Sequence, residues 1–92
     1  MKTELYEHLA LQFAKKEHKH RDNLEAGLLE ETHEVIVAAE RGTRGEYLDE
    51  LGDVLWYVAV MAKQEGSTLA ELMKANYQKL EKRALNGKKF IA

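Results

Sequence analysis

Two pairs of acidic residues could do chemistry in this chain: Glu31-x-x-Glu34 and Glu50-x-x-Asp53. Residues three apart on a helix face the same way, so each pair presents two carboxylates to one point. Each helical residue advances about 100°. On that wheel Leu24, Leu28, Val35 and Ala38 mark an apolar arc, and Glu31 falls inside it. Glu34 lies on the flank beside Gly27, while Glu30 falls on the outer side with Glu25 and Arg41. A buried, unpaired carboxylate is costly, so Glu31 needs a cation or strong donors. Glu50 and Asp53 share one side of the next segment, with Tyr57 one turn beyond. Two such helices packed antiparallel through a short loop bring four carboxylates together. Like charges at that spacing repel. A hard divalent cation relieves the repulsion, and an all-oxygen set suits magnesium or manganese. Glutamate-rich helices also carry acid pairs of this spacing on solvated faces. What separates this case from that one is the place of Glu31 within an apolar arc.

The elements that must position these groups read as four helices in one domain over residues 1–92, an all-α, four-helix bundle-like protomer. The first spans about Glu4 to Lys16, with Leu5, Tyr6, Leu9, Ala10 and Phe13 on one stripe. A polar connector, His18 to Arg21, follows. Asp22 and Glu25 have the spacing of a capping box and open a second helix that stops at Gly42. Thr43 with Glu46, and Thr68 with Glu71, repeat the box ahead of the third and fourth helices. The third ends near Gly66 and the fourth at Asn86-Gly87. The absence of proline and the wealth of Ala, Leu, Glu and Lys favour helix throughout.

The third helix is apolar all round from Val54 to Ala62 and must be covered on several sides. A chain of 92 residues buries a limited share of its surface, and without cysteine it has no disulfide to help. A core completed by oligomerisation is the expectation, with this helix near the interface. A monomeric bundle with this helix at its centre is the plainer alternative. The apolar run is too short to span a bilayer, and no apolar signal region follows Met1, so a soluble cytoplasmic protein is expected. Acidic and basic residues nearly balance, 16 against 14, which gives no electrostatic footprint for nucleic acid.

The last helix adds donors. Leu69, Leu72, Met73 and Leu80 mark its inner stripe, with Asn76 and Arg83 in the middle and Lys79 at the edge. Inward donors could neutralise phosphates near a metal. The plainer reading has Lys79 and Arg83 lay their stems over the core with their heads in water. A buried Asn76 amide would need partners.

These residues carry a resemblance. Leu28-Leu29-Glu30-Glu31-Thr32-His33-Glu34, then Glu50-Leu51-Gly52-Asp53, then Asn76-x-x-Lys79-Leu80-x-x-Arg83, resemble the MazG-like all-α nucleoside triphosphate pyrophosphohydrolases over about residues 24–90. The resemblance implies cleavage of nucleoside triphosphates, deoxynucleotides or aberrant ones in a house-cleaning role, between the α and β phosphorus atoms. Monophosphate and pyrophosphate are the products. It implies magnesium held by Glu31, Glu34, Glu50 and Asp53, substrate contacts from Asn76, Lys79, Arg83 and Tyr57, and a dimer or tetramer. The ending Ala84-Leu85-Asn86-Gly87-Lys88-Lys89-Phe90 lacks the Arg-Tyr/Phe-Pro of many members. No motif marks a base pocket. Phe13, Trp56 and Tyr57 could stack on a base, although aromatic residues on helix stripes are more often core. Phosphoribosyl-ATP pyrophosphohydrolases share the superfamily, so that substrate stays open.

Two rivals come from other classes. Glu30-x-x-His33 has the spacing of di-iron carboxylate bundles, but those need the pair twice and the second acid pair ends in Asp53. A non-catalytic helical interaction module would leave the acid pairs on the surface and use the third helix for docking. His8, His18 and His20 are most simply solvated.

Overall fold

A computed structural model describes residues 1–87. Within them four α-helices follow one another: α1 (Thr3–Ala10), α2 (Arg21–Arg41), α3 (Arg44–Gln64) and α4 (Leu69–Leu85). Short 3₁₀ turns at Leu11–Phe13 and Lys16–Lys19 join α1 to α2. No strand occurs among the described residues. The architecture is all-helical, as the sequence leads one to expect.

The α2–α3 hairpin is the packed unit that positions the acid pairs. Its turn is tight: the Gly42 N–H closes α2 on the Ala38 carbonyl at 2.9 Å, and Thr43 already caps α3. A Cβ on Gly42 would stand 2.9 Å from that carbonyl oxygen, so only glycine fits the corner. The Thr43 hydroxyl accepts from the Glu46 N–H at 3.2 Å, and Thr68 accepts from the Glu71 N–H at 3.1 Å. Both threonines are the N-caps that their spacing predicts. The α1 carboxylate of Glu7 accepts from the Leu69 N–H at 3.0 Å, a negative group at the positive end of α4.

Two boundaries differ from the sequence reading. The first helix stops at Ala10 rather than near Lys16. The Trp56 indole N–H donates to the Ala10 carbonyl at 2.8 Å, and the Ala14 N–H turns to Leu11 instead. A tertiary bond has therefore taken the acceptor that the next helical turn needs. The second helix is capped by His20 and not by Asp22, which lies in its first turn. The Lys16–Lys19 turn sets that start, tied down by the Asn23 amide donating to the Glu17 carbonyl at 2.9 Å.

The protomer is open. Its Cα radius of gyration is 15.0 Å, against about 12 Å for a compact chain of this length. Leu24, Ala38, Ala59, Val60, Ala62 and Leu69 form the buried core. Leu48, Leu51 and Leu55, by contrast, make an exposed apolar stripe along α3. No described helix is long and apolar enough to cross a membrane.

Candidate metal centre

The hairpin register brings the acid pairs face to face. Glu31 on α2 meets Glu50 and Asp53 on α3, and each offers one carboxylate oxygen within 4.8 Å of the others. Glu34 stands outside this trio. It is exposed and lines a cavity of about 120 Å³ together with Glu50, Glu46 and Arg41. Three of the four sequence candidates therefore converge, and the fourth borders the adjoining space.

The electrostatics match the crowding. Partial burial raises the Glu31 pKa above its ordinary value, and the charge on Asp53 adds to the rise. A hydrogen bond and like charge from Glu50, and the charge on Glu30, push the same way. Tyr57 is raised too, first by burial and then by Glu31, Glu30, Glu17 and Asp53. Tyr6 is raised by burial and by Asp53. The charge of the acid cluster thus reaches two phenols. The sequence offered no signal for Tyr6 beyond its place on the α1 stripe, because its approach to Asp53 is a long-range event.

The donor set fits a hard divalent cation. Oxygens around octahedral magnesium lie roughly 3–4 Å apart, given metal–oxygen distances of 2.0–2.1 Å. Small side-chain rotations would close a 4.8 Å cluster to that spacing. All three donors are oxygens, the ligands that magnesium and manganese prefer. His33 is exposed and forms no part of the cluster, so the di-iron pattern is not built here.

Other expectations need correction. Asn76 is exposed rather than inward, and Lys79 and Arg83 are exposed too, in keeping with the plainer reading that leaves their heads in water. α4 covers the fold through Leu69 at its start and half-buries Leu80, whereas Leu72 and Met73 stay exposed. The wheel found a common face for these residues, but among the described residues its middle stays exposed, met at Met73 by the Thr3 hydroxyl. His18 is not simply solvated. Its ring packs edge-on to Trp56 at 4.9 Å and to Tyr57 at 6.0 Å, and its Nδ1 accepts from the Lys15 N–H at 2.8 Å. Phe13 is 75 % exposed, while Trp56 is held in place by its bond to Ala10. Of the chain's ending, Lys88, Lys89 and Phe90 lie outside the described residues.

The Glu31 shift gives a pH test. A group whose pKa is raised by folding stabilises the fold when protonated. That contribution is full below the ordinary value of 4.5 and is lost as pH rises through the folded value. Without divalent cations, Glu31→Gln is therefore expected to match the wild type at low pH and to exceed it in stability toward neutrality. Urea unfolding across that range, with a chelator present, checks this. A difference independent of pH would contradict it.

No curated protein and no solved structure shows a significant similarity to the chain. Residues 19–87, most of the sequence, match the MazG nucleotide pyrophosphohydrolase domain, and they include all four motif carboxylates. The chain belongs to the MazG nucleotide pyrophosphohydrolase family.

Proposed function

We propose that the protein hydrolyses nucleoside triphosphates, deoxynucleotides or non-standard ones, to monophosphate and pyrophosphate with magnesium. The observation that carries this reading is the meeting of Glu31, Glu50 and Asp53 within 4.8 Å in a chain of this family. Those three residues would hold the cation. A bound divalent ion screens phosphate charge and lowers the pKa of water. In this reading Glu34, outside the trio and open to solvent, is the carboxylate left to orient the attacking water or take its proton. Tyr57 stands one turn beyond Asp53 and supplies a phenol donor to the nucleotide. Asn76, Lys79 and Arg83 share one exposed face of α4 and supply donors to the phosphates.

The active form in this reading is a homo-oligomer, a dimer or tetramer. Its support is the open protomer, with Leu48, Leu51 and Leu55 exposed on the helix that carries two of the carboxylates.

Product analysis on a panel of nucleoside triphosphates, phosphoribosyl-ATP included, tests the reaction. Pyrophosphate and monophosphate are expected, and only with magnesium. Orthophosphate as the first product would mean that another bond is cut, and the proposal would fail.

A further inference from the structure

Gly27 has no backbone reason to be glycine. It sits inside α2, and the positive-φ glycines among the described residues are Gly66 and Gly87. A helix interior disfavours glycine. The reason lies in the space above it. A Cβ on Gly27 would stand 2.5 Å from Cε1, Cζ and the hydroxyl oxygen of Tyr57. A mid-helix glycine with open surroundings looks different, as Gly52 on α3 shows with nothing within 4 Å.

The hairpin explains why this matters. Gly27 lies one turn before Glu31, and Tyr57 one turn after Asp53. The phenol seated over Gly27 is therefore the next rung of the ladder that brings the carboxylates together. The ring is also walled in. Trp56 stands perpendicular to it at 5.2 Å, and His18 edges it at 6.0 Å. Neither wall is loose, because Trp56 is bonded to the Ala10 carbonyl and His18 to the Lys15 N–H, both at 2.8 Å. A methyl group on α2 would displace the phenol from this seat.

We propose that Gly27 is a positioning residue, which acts through Tyr57 to set nucleotide affinity while leaving the cation site intact. The inference rests on the pyrophosphohydrolase reading, with Tyr57 as its substrate contact. It separates two effects that share one hairpin: metal affinity belongs to the carboxylates, nucleotide affinity to the phenol and to the gap that holds it.

The test is a double-mutant cycle with Gly27→Ala, Tyr57→Ala and both together. For each, KM and kcat for pyrophosphate release are measured, with the Mn²⁺ dissociation constant in the absence of nucleotide. Gly27→Ala is expected to raise KM by about tenfold, equivalent to about 1.4 kcal/mol, and to leave Mn²⁺ affinity within about twofold of wild type. In the Tyr57→Ala background the same change should move KM little, since the phenol it displaces is gone. An unchanged KM in Gly27→Ala overturns the proposal, as does an equal loss in both backgrounds or a parallel loss of Mn²⁺ affinity. If Gly27→Ala fails to fold, the double variant decides. Recovery of folding there supports a shared space, and failure overturns it. If the wild type releases no pyrophosphate, the reaction assigned above falls on its own. The cycle is then read on the dissociation constant of a non-hydrolysable magnesium–nucleoside triphosphate analogue. About tenfold weaker binding by Gly27→Ala sustains the inference, whereas unchanged binding, or none by the wild type, overturns it.

Discussion

Replacing Glu50 and Asp53 together by Ala is expected to remove pyrophosphate release, lowering kcat/KM by at least about a thousandfold. The size follows from what the cluster must supply. Charge stabilisation by a bound cation is worth several kcal/mol, and losing roughly 4 kcal/mol corresponds to about three orders of magnitude. Two of the three converging oxygen donors go with these side chains, so Glu31 alone remains to hold an ion. The fold should survive. Glu50 is half-buried and Asp53 exposed, and both press like charge on Glu31. Removing them relieves repulsion, so the Tm without metal should stay level or rise. The signature is the metal response: magnesium should raise the Tm of the wild type, because an ion that binds only the folded state stabilises it by mass action. The double variant should show no such rise. Thermal unfolding with and without magnesium, alongside turnover, separates the two effects. An active double variant, or one that keeps the magnesium response, would defeat the metal assignment.

How far the sequence led depended on how local each cause was. The caps at Thr43 and Thr68 were legible because a threonine three residues before a glutamate closes a bond within one turn. The convergence of Glu31 with Glu50 and Asp53 was legible because each lies on a face whose partner is fixed by a two-residue turn. The end of α1 was not, since no glycine or proline marks it. An indole from α3 takes the Ala10 carbonyl and stops the helix from a distance. The same holds for His18, a polar connector in the sequence that the Lys16–Lys19 turn folds against Trp56. Asn76, Lys79 and Arg83 show the limit of the helical wheel. It sorts residues by face, but whether a face is covered depends on what packs there, and α4 meets its neighbours mostly near its start. Gly27 was noted only as a neighbour of Glu34 on the wheel. Its role needed the register of the hairpin, which sets Tyr57 over it.

Leu55→Glu is expected to convert the proposed homo-oligomer to a protomer and to weaken its folding. Leu48, Leu51 and Leu55 lie three and four apart on one face of α3, exposed by 45 %, 40 % and 45 %. Their stripe runs on into the buried Ala59 and Ala62 on the same face of α3, and among the described residues its first half is left open. If a second copy covers it, each leucine, already more than half-buried, contributes roughly 1 kcal/mol by burial. A two-fold contact counts each substitution twice, because the same patch serves both partners. A loss of about 2 kcal/mol from burial alone then weakens association by about thirtyfold. The introduced carboxylate adds the cost of desolvating a charge with no partner. Sedimentation equilibrium over a range of concentrations should find wild-type dimers or tetramers and a monomeric variant. The wild-type Tm should climb with protein concentration, and that of the variant should not, since subunit binding stabilises by mass action. Activity should fall with assembly, because α3 carries both Glu50 and Asp53 and loses the packing that holds it still. A monomeric wild type, or a variant with the wild-type mass, would show that this stripe is not where a second copy binds.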